Sequence, residues 1–350
     1  MKKYYTRVCN FYYGENSIKL IKQKRSLPLN GNKKISFDHI EILSRNSKKK
    51  IHIKEVKNLT KNLKKKIKKD IKIIIQKKNN FSNLNFSKIP NIMGILNLTP
   101  DSFSDGGKFN KENLGYEQAK NLFKFGADII DIGGESTRPK SKIIKKKIEW
   151  NRIKKKLTKI NKKIVLSLDT RKSEIMENGI KKGVKLINDI SGLSFDTQTI
   201  DVLKKYKIPF VIHHIQGTPL TMQNNPTYKN VLLDIYDYFE KKINYARKNK
   251  IKHNKIILDP GIGFGKNLKH NLNLISNISI FHSLGFPILL GMSKKKFIKD
   301  ISGVNDSKKR TGGTISASIF AMMQGVQILR VHDVKEVIQS IKVFNELLKR

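Results

Sequence analysis

Residues 92–107 read IMGILNLTPDSFSDGG, and the reading of this stretch decides the fold. Ile92 to Leu98 is an apolar run of strand length. It gives way at Asn97, Thr99 and Pro100 to a loop of Asp101, Ser102, Phe103, Ser104, Asp105 and two glycines. A short apolar run bounded by turn residues reads as a buried strand. A buried strand that opens into a polar, glycine-rich loop is how α/β enzymes present side chains for chemistry. One such strand and turn would say little; its recurrence downstream carries the argument.

Working outward, strand candidates fall at 92–98, 128–132, 164–168, 186–190, 209–213, 255–258, 287–291 and 328–331, eight in all. Helical stripes separate them: Ala119, Leu122 and Phe123; Trp150, Ile153, Leu157 and Ile160; Ile175 and Ile180; Leu232, Ile235, Phe239 and Ile243; and Val334, Val337, Ile338, Ile341 and Leu348. Eight βα units with short apolar strands predict a (β/α)8 TIM barrel over 89–350, with a doubly wound open sheet as the alternative. In a barrel, functional groups gather at the C-terminal ends of the strands. Those ends carry Asn97, Asp131 to Arg138, Asp169, Asn188, His214, Asp259, Ser293 and Arg330 to His332. Desolvating so many polar groups is expensive unless they are paired or used.

The chain has 350 residues, 38 % of them apolar, and a formal charge of +44 from 72 Lys plus Arg against 28 Asp plus Glu. Such a charge suggests nucleic acid or an anionic membrane. The lysines, however, occur in nearly every helix-like segment instead of forming one stripe, which reads as solvated faces. The charge should still draw in anionic substrates. A single cysteine, Cys9, excludes an internal disulfide and any CxxC metal site. A reducing cytosol fits. No apolar run reaches the about 18 residues of a membrane span. The opening MKKYYTRVCNFYYG lacks the apolar core of a secretory signal, and its Lys and Tyr fit an organelle transit peptide poorly.

Before the first barrel strand, 35–43 (ISFDHIEIL) alternates as a strand does. IHIKEV at 51–56 is expected to pair with it, Val56, Leu59, Leu63 and Ile67 fall at helical spacing, and IKIII at 71–75 is a further strand candidate. Residues 79–87 read as a polar linker. Residues 1–88 are thus expected to be a small N-terminal α/β lobe with its linker, carrying no chemical motif.

Three constellations carry the chemistry. Asp169 (VLSLDTRK), Asn188 (LINDISG) and Asp259 (ILDPGIGFGK) combine two carboxylates with an amide. With no His or Cys cluster beside them, a transition-metal site is not expected. Such acceptors suit the N–H edge of a heterocycle of amino-amidine character, an edge that a pterin has. Arg330 and His332, two apart in LRVHDV, point to one face and suit a phosphate-type anion. Gly312 and Gly313 precede a helical run whose start can donate N–H groups to an anion. Asn97 offers a neutral oxygen that a hydrated Mg²⁺ could use. The third set is GGESTRPK at 133–140, holding Thr137, Arg138 and Pro139. His213 and His214 are adjacent, so in a strand they face opposite ways and do not readily share one metal.

On the stretch at 92–107 and these separated motifs, the chain from about 92 to 350 strongly resembles the dihydropteroate synthases of folate biosynthesis. That resemblance favours the barrel. It implies condensation of (7,8-dihydropterin-6-yl)methyl diphosphate with 4-aminobenzoate, giving 7,8-dihydropteroate and diphosphate, with sulfonamides competing. It places the pterin ring on Asp169, Asn188, Asp259 and Lys295, the last in GMSKKKF. It places Mg²⁺ and diphosphate on Asn97, with Arg330, Val331 and His332 toward the leaving group. Asp169, Lys295, Arg330 and His332 become the expected catalytic residues. The loop of Asp101 and Phe103 would close with that of Thr137, Arg138 and Pro139; Phe103, Pro139 and Phe264 would flank the second substrate's ring, and Ser293 would meet its carboxylate. The resemblance also implies a cytoplasmic homodimer. Departures from the pattern are His213, where the family usually has Met; Lys294, where it commonly has Arg, not an equivalent fork; and an unusually basic stretch at 140–147. Some bacterial members have a leader similar to 1–88.

Two other classes compete. A pterin-binding module of the corrinoid methyltransferase type shares the barrel, handles no diphosphate and needs no Arg330 with His332. A basic nucleic-acid-binding protein on an inert barrel would show salt-sensitive DNA or RNA binding.

Overall fold

In the computed structural model, residues 3–78, 84–86, 90–99, 114–160 and 164–349 are described. Asp101 and Phe103 lie outside them. Eight parallel strands form the centre: β5 (Asn91–Asn97), β6 (Ile129–Gly133), β7 (Val165–Asp169), β8 (Leu186–Asp189), β9 (Phe210–His213), β10 (Ile256–Asp259), β11 (Leu289–Gly291) and β12 (Ile328–Val331). Their order is β10-β9-β8-β7-β6-β5-β12-β11. A parallel bridge between Leu258 and Ile288 links the two ends, with Leu258 N–H donating to the Pro287 carbonyl at 2.9 Å. The expected strands all form, shifted by no more than two residues at an end, because strands buried on both faces are near-continuous apolar runs.

Helices follow the strands: α3 (Leu114–Lys124), α4 (Lys146–Lys159), α5 (Ser173–Lys181), α6 (Thr199–Tyr206), α7 (Val231–Lys248), α8 (Leu268–Ser276), α9 (Lys296–Ser302), α10 (Thr311–Met323) and α11 (Val334–Leu347). Local chemistry fixes several starts. Asn230 accepts from Leu233 N–H at 3.1 Å to open α7, and Asn267 with His270 forms a capping box at α8. Outward strand residues such as Ile130, Ile132, Leu166, Leu168, Ile187 and Ile212 join the helices in one large apolar core.

Inward residues build a separate layer. Met93, Ile129, Val165, Leu186, Val211, Ile257, Leu289 and Ile328 form an apolar floor inside the barrel, joined by Leu84 and Phe86. The expected polar linker is therefore corrected at these two positions: both side chains are buried, at 2 % and 0 % exposure. Their burial satisfies the open N-terminal end of the barrel.

The N-terminal residues form an antiparallel sheet of β1 (Tyr5–Tyr13), β2 (Leu27–Leu29), β3 (Asn32–Leu43) and β4 (Lys48–His52), with helices α1 (Gly14–Lys22) and α2 (Lys61–Ile75). Two expectations fail here. IKIII at 71–75 is the end of α2, not a strand: Ile67, Asp70 and Ile74 are its buried residues, so helical periodicity outweighs the β-propensity of three isoleucines. IHIKEV pairs with β3 only as far as His52, because Glu55 reaches back to His52 N–H at 3.1 Å and turns 53–58 into a 3-10 helix. The opening stretch around Cys9 becomes β1, paired with β3 from Tyr5 to Tyr13.

The sheet docks on the barrel's helices. Ser279 donates to the Val8 carbonyl at 2.8 Å, Tyr13 donates to the Met323 carbonyl at 3.0 Å, and Tyr5 donates to Asp237 at 2.9 Å. Arg45 pairs with Asp234 and Asp237 of α7. No helix among the described residues is long and apolar enough to cross a membrane.

Candidate active site

Two residues above the floor, the same inward positions turn polar. Alternation carries Val165 to Ser167 and Asp169, Leu186 to Asn188, Val211 to His213, Ile257 to Asp259, and Ile328 to Arg330. Register keeps them level: Asp169 sits opposite Asn188 and Gly133, Asp259 opposite His213, and Arg330 opposite Gly291. The structure thus brings Asn97, Asp169, Asn188, Asp259, Ser293, Lys295, Arg330 and His332 to one mouth.

Arg330 organises the ring. Its Nε donates to Asp131 Oδ2 at 2.6 Å and its Nη2 to Asp169 Oδ2 at 2.8 Å. Asn188 Nδ2 donates to the same Asp131 oxygen at 2.9 Å. Asp131, fully buried, is the central acceptor that sequence reasoning passed over as a mere strand end. Its signal was present: an acid two residues after Ile129, on the inward phase of an otherwise apolar strand. The other oxygens of this group, Asp131 Oδ1, Asp169 Oδ1 and Asn188 Oδ1, are buried without a hydrogen-bond partner. Unmet buried acceptors are costly, and three together ask for a ligand rich in N–H donors.

Burial raises the Asp169 carboxyl well above the usual carboxylate range, against the pull of Arg330 and with Asp131 adding to the rise. Burial likewise pushes Asp259 up to about 6, opposed chiefly by Lys295, while its Oδ1 accepts from Gly261 N–H at 2.8 Å. Gly261 is required there: its φ is +69°, and a Cβ would fall 2.0 Å from the His214 carbonyl oxygen. Burial pushes Lys295 down to about 8. Its ammonium bonds the Ile262 carbonyl and lies 4.7 Å from the centre of the Phe264 ring. The flanking charges of Lys294 and Lys296 do not share this role: Lys294 pairs with Asp333 at 2.6 Å, and Lys296 is exposed beside Asp300.

His332 differs in character from Arg330. Burial and the nearby cations Lys294, Arg330, Lys295 and Arg138 push its imidazole down to about 3, so it enters as a neutral donor and not as a second cation. Its backbone N–H and Nδ1 both engage Ser293 Oγ, at 3.2 and 3.0 Å. Val331 is 1 % exposed and packs into the outer core, so its side chain is turned away from the mouth and only its backbone can meet a ligand there. The start of α10 already has an anion beside it, since Thr311 Oγ1 donates to Asp333 at 2.9 Å.

The loop of Thr137, Arg138 and Pro139 is held from below by a buried ionic cluster that sequence reasoning missed. Glu135 accepts from Ile144 N–H at 2.9 Å, fastening the two ends of the loop together. Lys172 bonds Glu135 at 2.7 Å, Glu149 at 2.6 Å and the Ile144 carbonyl at 2.8 Å. Arg171 pairs with Glu135 at 2.9 Å. Pro139 itself is exposed, in a turn that Ser141 N–H closes onto the Arg138 carbonyl at 3.1 Å.

His213 faces inward and His214 outward, as adjacent strand positions require. His213 donates from Nδ1 to the Ile190 carbonyl at 3.1 Å and packs edge-on against Phe264. His214 accepts from buried Lys266 at 3.0 Å and packs on Tyr238. Burial, with Lys295 and Lys266 next for His213 and Lys266 for His214, lowers the proton affinity of both imidazoles well below the ordinary value.

Residues 93–332 match the model of the pterin binding enzyme family. Dihydropteroate synthase from Escherichia coli (strain K12) is 39 % identical over 261 residues, 74 % of this chain and 92 % of that protein. The Yersinia pestis dihydropteroate synthase, solved with a sulfonamide drug complex, is 37 % identical with a TM-score of 0.73, covering 76 % of this chain and 97 % of that one. The Xanthomonas albilineans enzyme, solved with 4-aminobenzoic acid, is 31 % identical with a TM-score of 0.69, covering 74 % and 93 %.

Proposed function

The chain belongs to the pterin binding enzyme family, and on that premise we propose how its barrel mouth works as a dihydropteroate synthase. It condenses (7,8-dihydropterin-6-yl)methyl diphosphate with 4-aminobenzoate to give 7,8-dihydropteroate and diphosphate, and sulfonamides compete for the second site. One observation carries the assignment of roles: three buried acceptor oxygens, on Asp131, Asp169 and Asn188, lack partners in the cluster that Arg330 holds together.

In this reading the pterin's N–H edge meets Asp169, Asn188 and Asp259, and Asp131 fixes the amide and Arg330. The amine nitrogen of 4-aminobenzoate attacks the pterin methylene carbon as its C–O bond breaks. The bonding pair leaves with diphosphate, and the nitrogen releases its proton to water. Arg330, Lys295 and Arg138 offset the charge that develops on the leaving group. Neutral His332 donates a hydrogen bond to it, and the arriving anion favours its protonation. Asp169 and Asp259 balance positive charge spreading from the methylene into the ring. The arylamine is nucleophilic already, so the step needs no strong general base. Phe264 and Ser293 receive 4-aminobenzoate, under the loop of Thr137, Arg138 and Pro139.

Among the described residues no group of three acidic, His or Cys side chains could cage a metal. Asn97 fits a looser arrangement. Its Oδ1 lies 3.7 Å from where a Cβ at Gly133 would stand, so the missing side chain leaves it room beside Asp169. Mg²⁺ held mainly by water and phosphate oxygens matches that single neutral donor. When bound, it would supply charge neutralisation on the diphosphate.

We also infer a cytoplasmic homodimer, with residues 1–88 as an accessory lobe and linker to the synthase domain at 89–350. The lobe's own apolar cluster around Val8, Phe37, Ile40 and Ile67 supports that division. The test is incubation with both substrates and Mg²⁺, reading dihydropteroate by mass. Product is expected; pterin capture with no condensation would overturn the reading.

A further inference from the structure

At the opposite end of the barrel from the mouth, a cavity of about 230 Å³ lies between the end of α2 and the first residues of β10. Lys77, Lys78, Arg247, His253 and Asn254 line it, over apolar walls that include Ile256. Lys78 is 5 % exposed, and its ammonium donates to the Ile73 carbonyl at 3.2 Å. No acidic residue lines the cavity among the described residues. Burial alone pushes the Lys78 amine down to about 8, with no carboxylate opposing it.

The neighbouring groups reinforce this imbalance. His253 donates from Nε2 to the Gly285 carbonyl at 3.0 Å and turns Nδ1 toward Arg247 Nη2 at 3.5 Å. Burial, and after it the charges of Arg247 and Lys78, lower the affinity of the His253 imidazole for a proton, and its Nδ1 faces the Arg247 guanidinium. Lys77, Lys78 and Arg247 therefore line one concave surface that has no acidic residue among its lining residues. A buried ammonium without an opposite charge is costly, and an anion seated beside it removes that cost. Arg247 and Lys77 are exposed at the rim, which leaves an entry path.

We propose that this basal cavity is a second anion site, taking a phosphate group between Lys78 and Arg247, separate from the mouth. Its size admits inorganic phosphate or the head of a phosphomonoester. The site stands independently of the synthase reading.

Isothermal titration calorimetry of the full chain with inorganic phosphate, at ionic strength fixed with chloride, tests it. An Arg330→Gln background, with Lys295 and Arg138 also changed to Gln, removes the mouth's own cationic contacts to an anion. There, phosphate is expected to bind at one site, and Arg247→Gln and Lys78→Gln are each expected to weaken it at least tenfold. Thermal melts check folding; should Lys78→Gln fail to fold, exposed Arg247→Gln decides alone. Absence of binding in that background, or unchanged affinity in a folded basal variant, overturns the proposal. Phenyl phosphate is the second arm. Tighter binding than inorganic phosphate assigns the site to a phosphorylated organic ligand, and the reverse order assigns it to the free anion; both support the site.

Discussion

The floor and the mouth of this barrel are built by the same strands, yet they have opposite character. Val165, Leu186, Val211, Ile257 and Ile328 close the floor, and Asp169, Asn188, His213, Asp259 and Arg330 ring the space above. Two to four residues separate them, roughly 7 to 13 Å along a strand. The floor gains its free energy by leaving water. The mouth spends part of that gain on holding buried charges in fixed positions with unmet hydrogen-bonding capacity. Stability and chemistry are thus divided by height within one element, and substitutions at the two levels should fail differently.

The sharpest contrast pairs a mouth variant with a floor variant. Asp169→Ala, or Lys295→Ala, should lower turnover at least a hundredfold while the chain stays folded, because each removes a charge facing the reacting atoms. Ile257→Ala should instead cost about 2 to 5 kcal/mol in denaturant unfolding, with kcat/KM of the folded fraction unchanged. Steady-state kinetics beside urea melts would measure both. Full activity in both mouth variants, or a collapse of kcat in the floor variant, breaks the comparison.

A smaller effect concerns the rim. Glu135 ties the ends of the Arg138 loop together without facing the substrates. Glu135→Gln keeps an acceptor but weakens the clamp, so KM for 4-aminobenzoate should rise about tenfold while kcat changes little. Equal kinetics with a lowered melting temperature would reduce Glu135 to a structural role.

The smallest effect is a pH dependence confined to the mouth. Below about 6, Asp259 takes up a proton and stops accepting from the pterin. Above about 8, Lys295 gives up its proton and its charge. Pterin affinity should therefore peak between these values and fall on both limbs, in calorimetric titrations from pH 5 to 9. An affinity flat across that range would show that neither group needs its charge for binding.

The barrel was legible because continuous apolar runs such as IVLSL have few alternatives to a buried strand. The ring of Asp169, Asn188, Asp259 and Arg330 followed from strand ends. Asp131 did not, since its importance lies in accepting from Arg330, 199 residues away, a pairing that spacing alone does not reveal. Glu135 with Lys172 was hidden for the same reason, 37 residues apart on different strand ends. IKIII failed because a local propensity was read without the stripe that Ile67 had begun. The depressed proton affinity of His332 was not legible, because burial is a property of the folded neighbourhood.

Leu84 and Phe86 act as a cork, and that has a consequence for anyone trimming the chain. A fragment beginning at the first residue of β5 would contain every barrel strand and every group of the mouth, and would still be open at the bottom. Water would then reach Ile257 and its neighbours from beneath. A fragment that keeps this floor dry therefore starts upstream of Leu84.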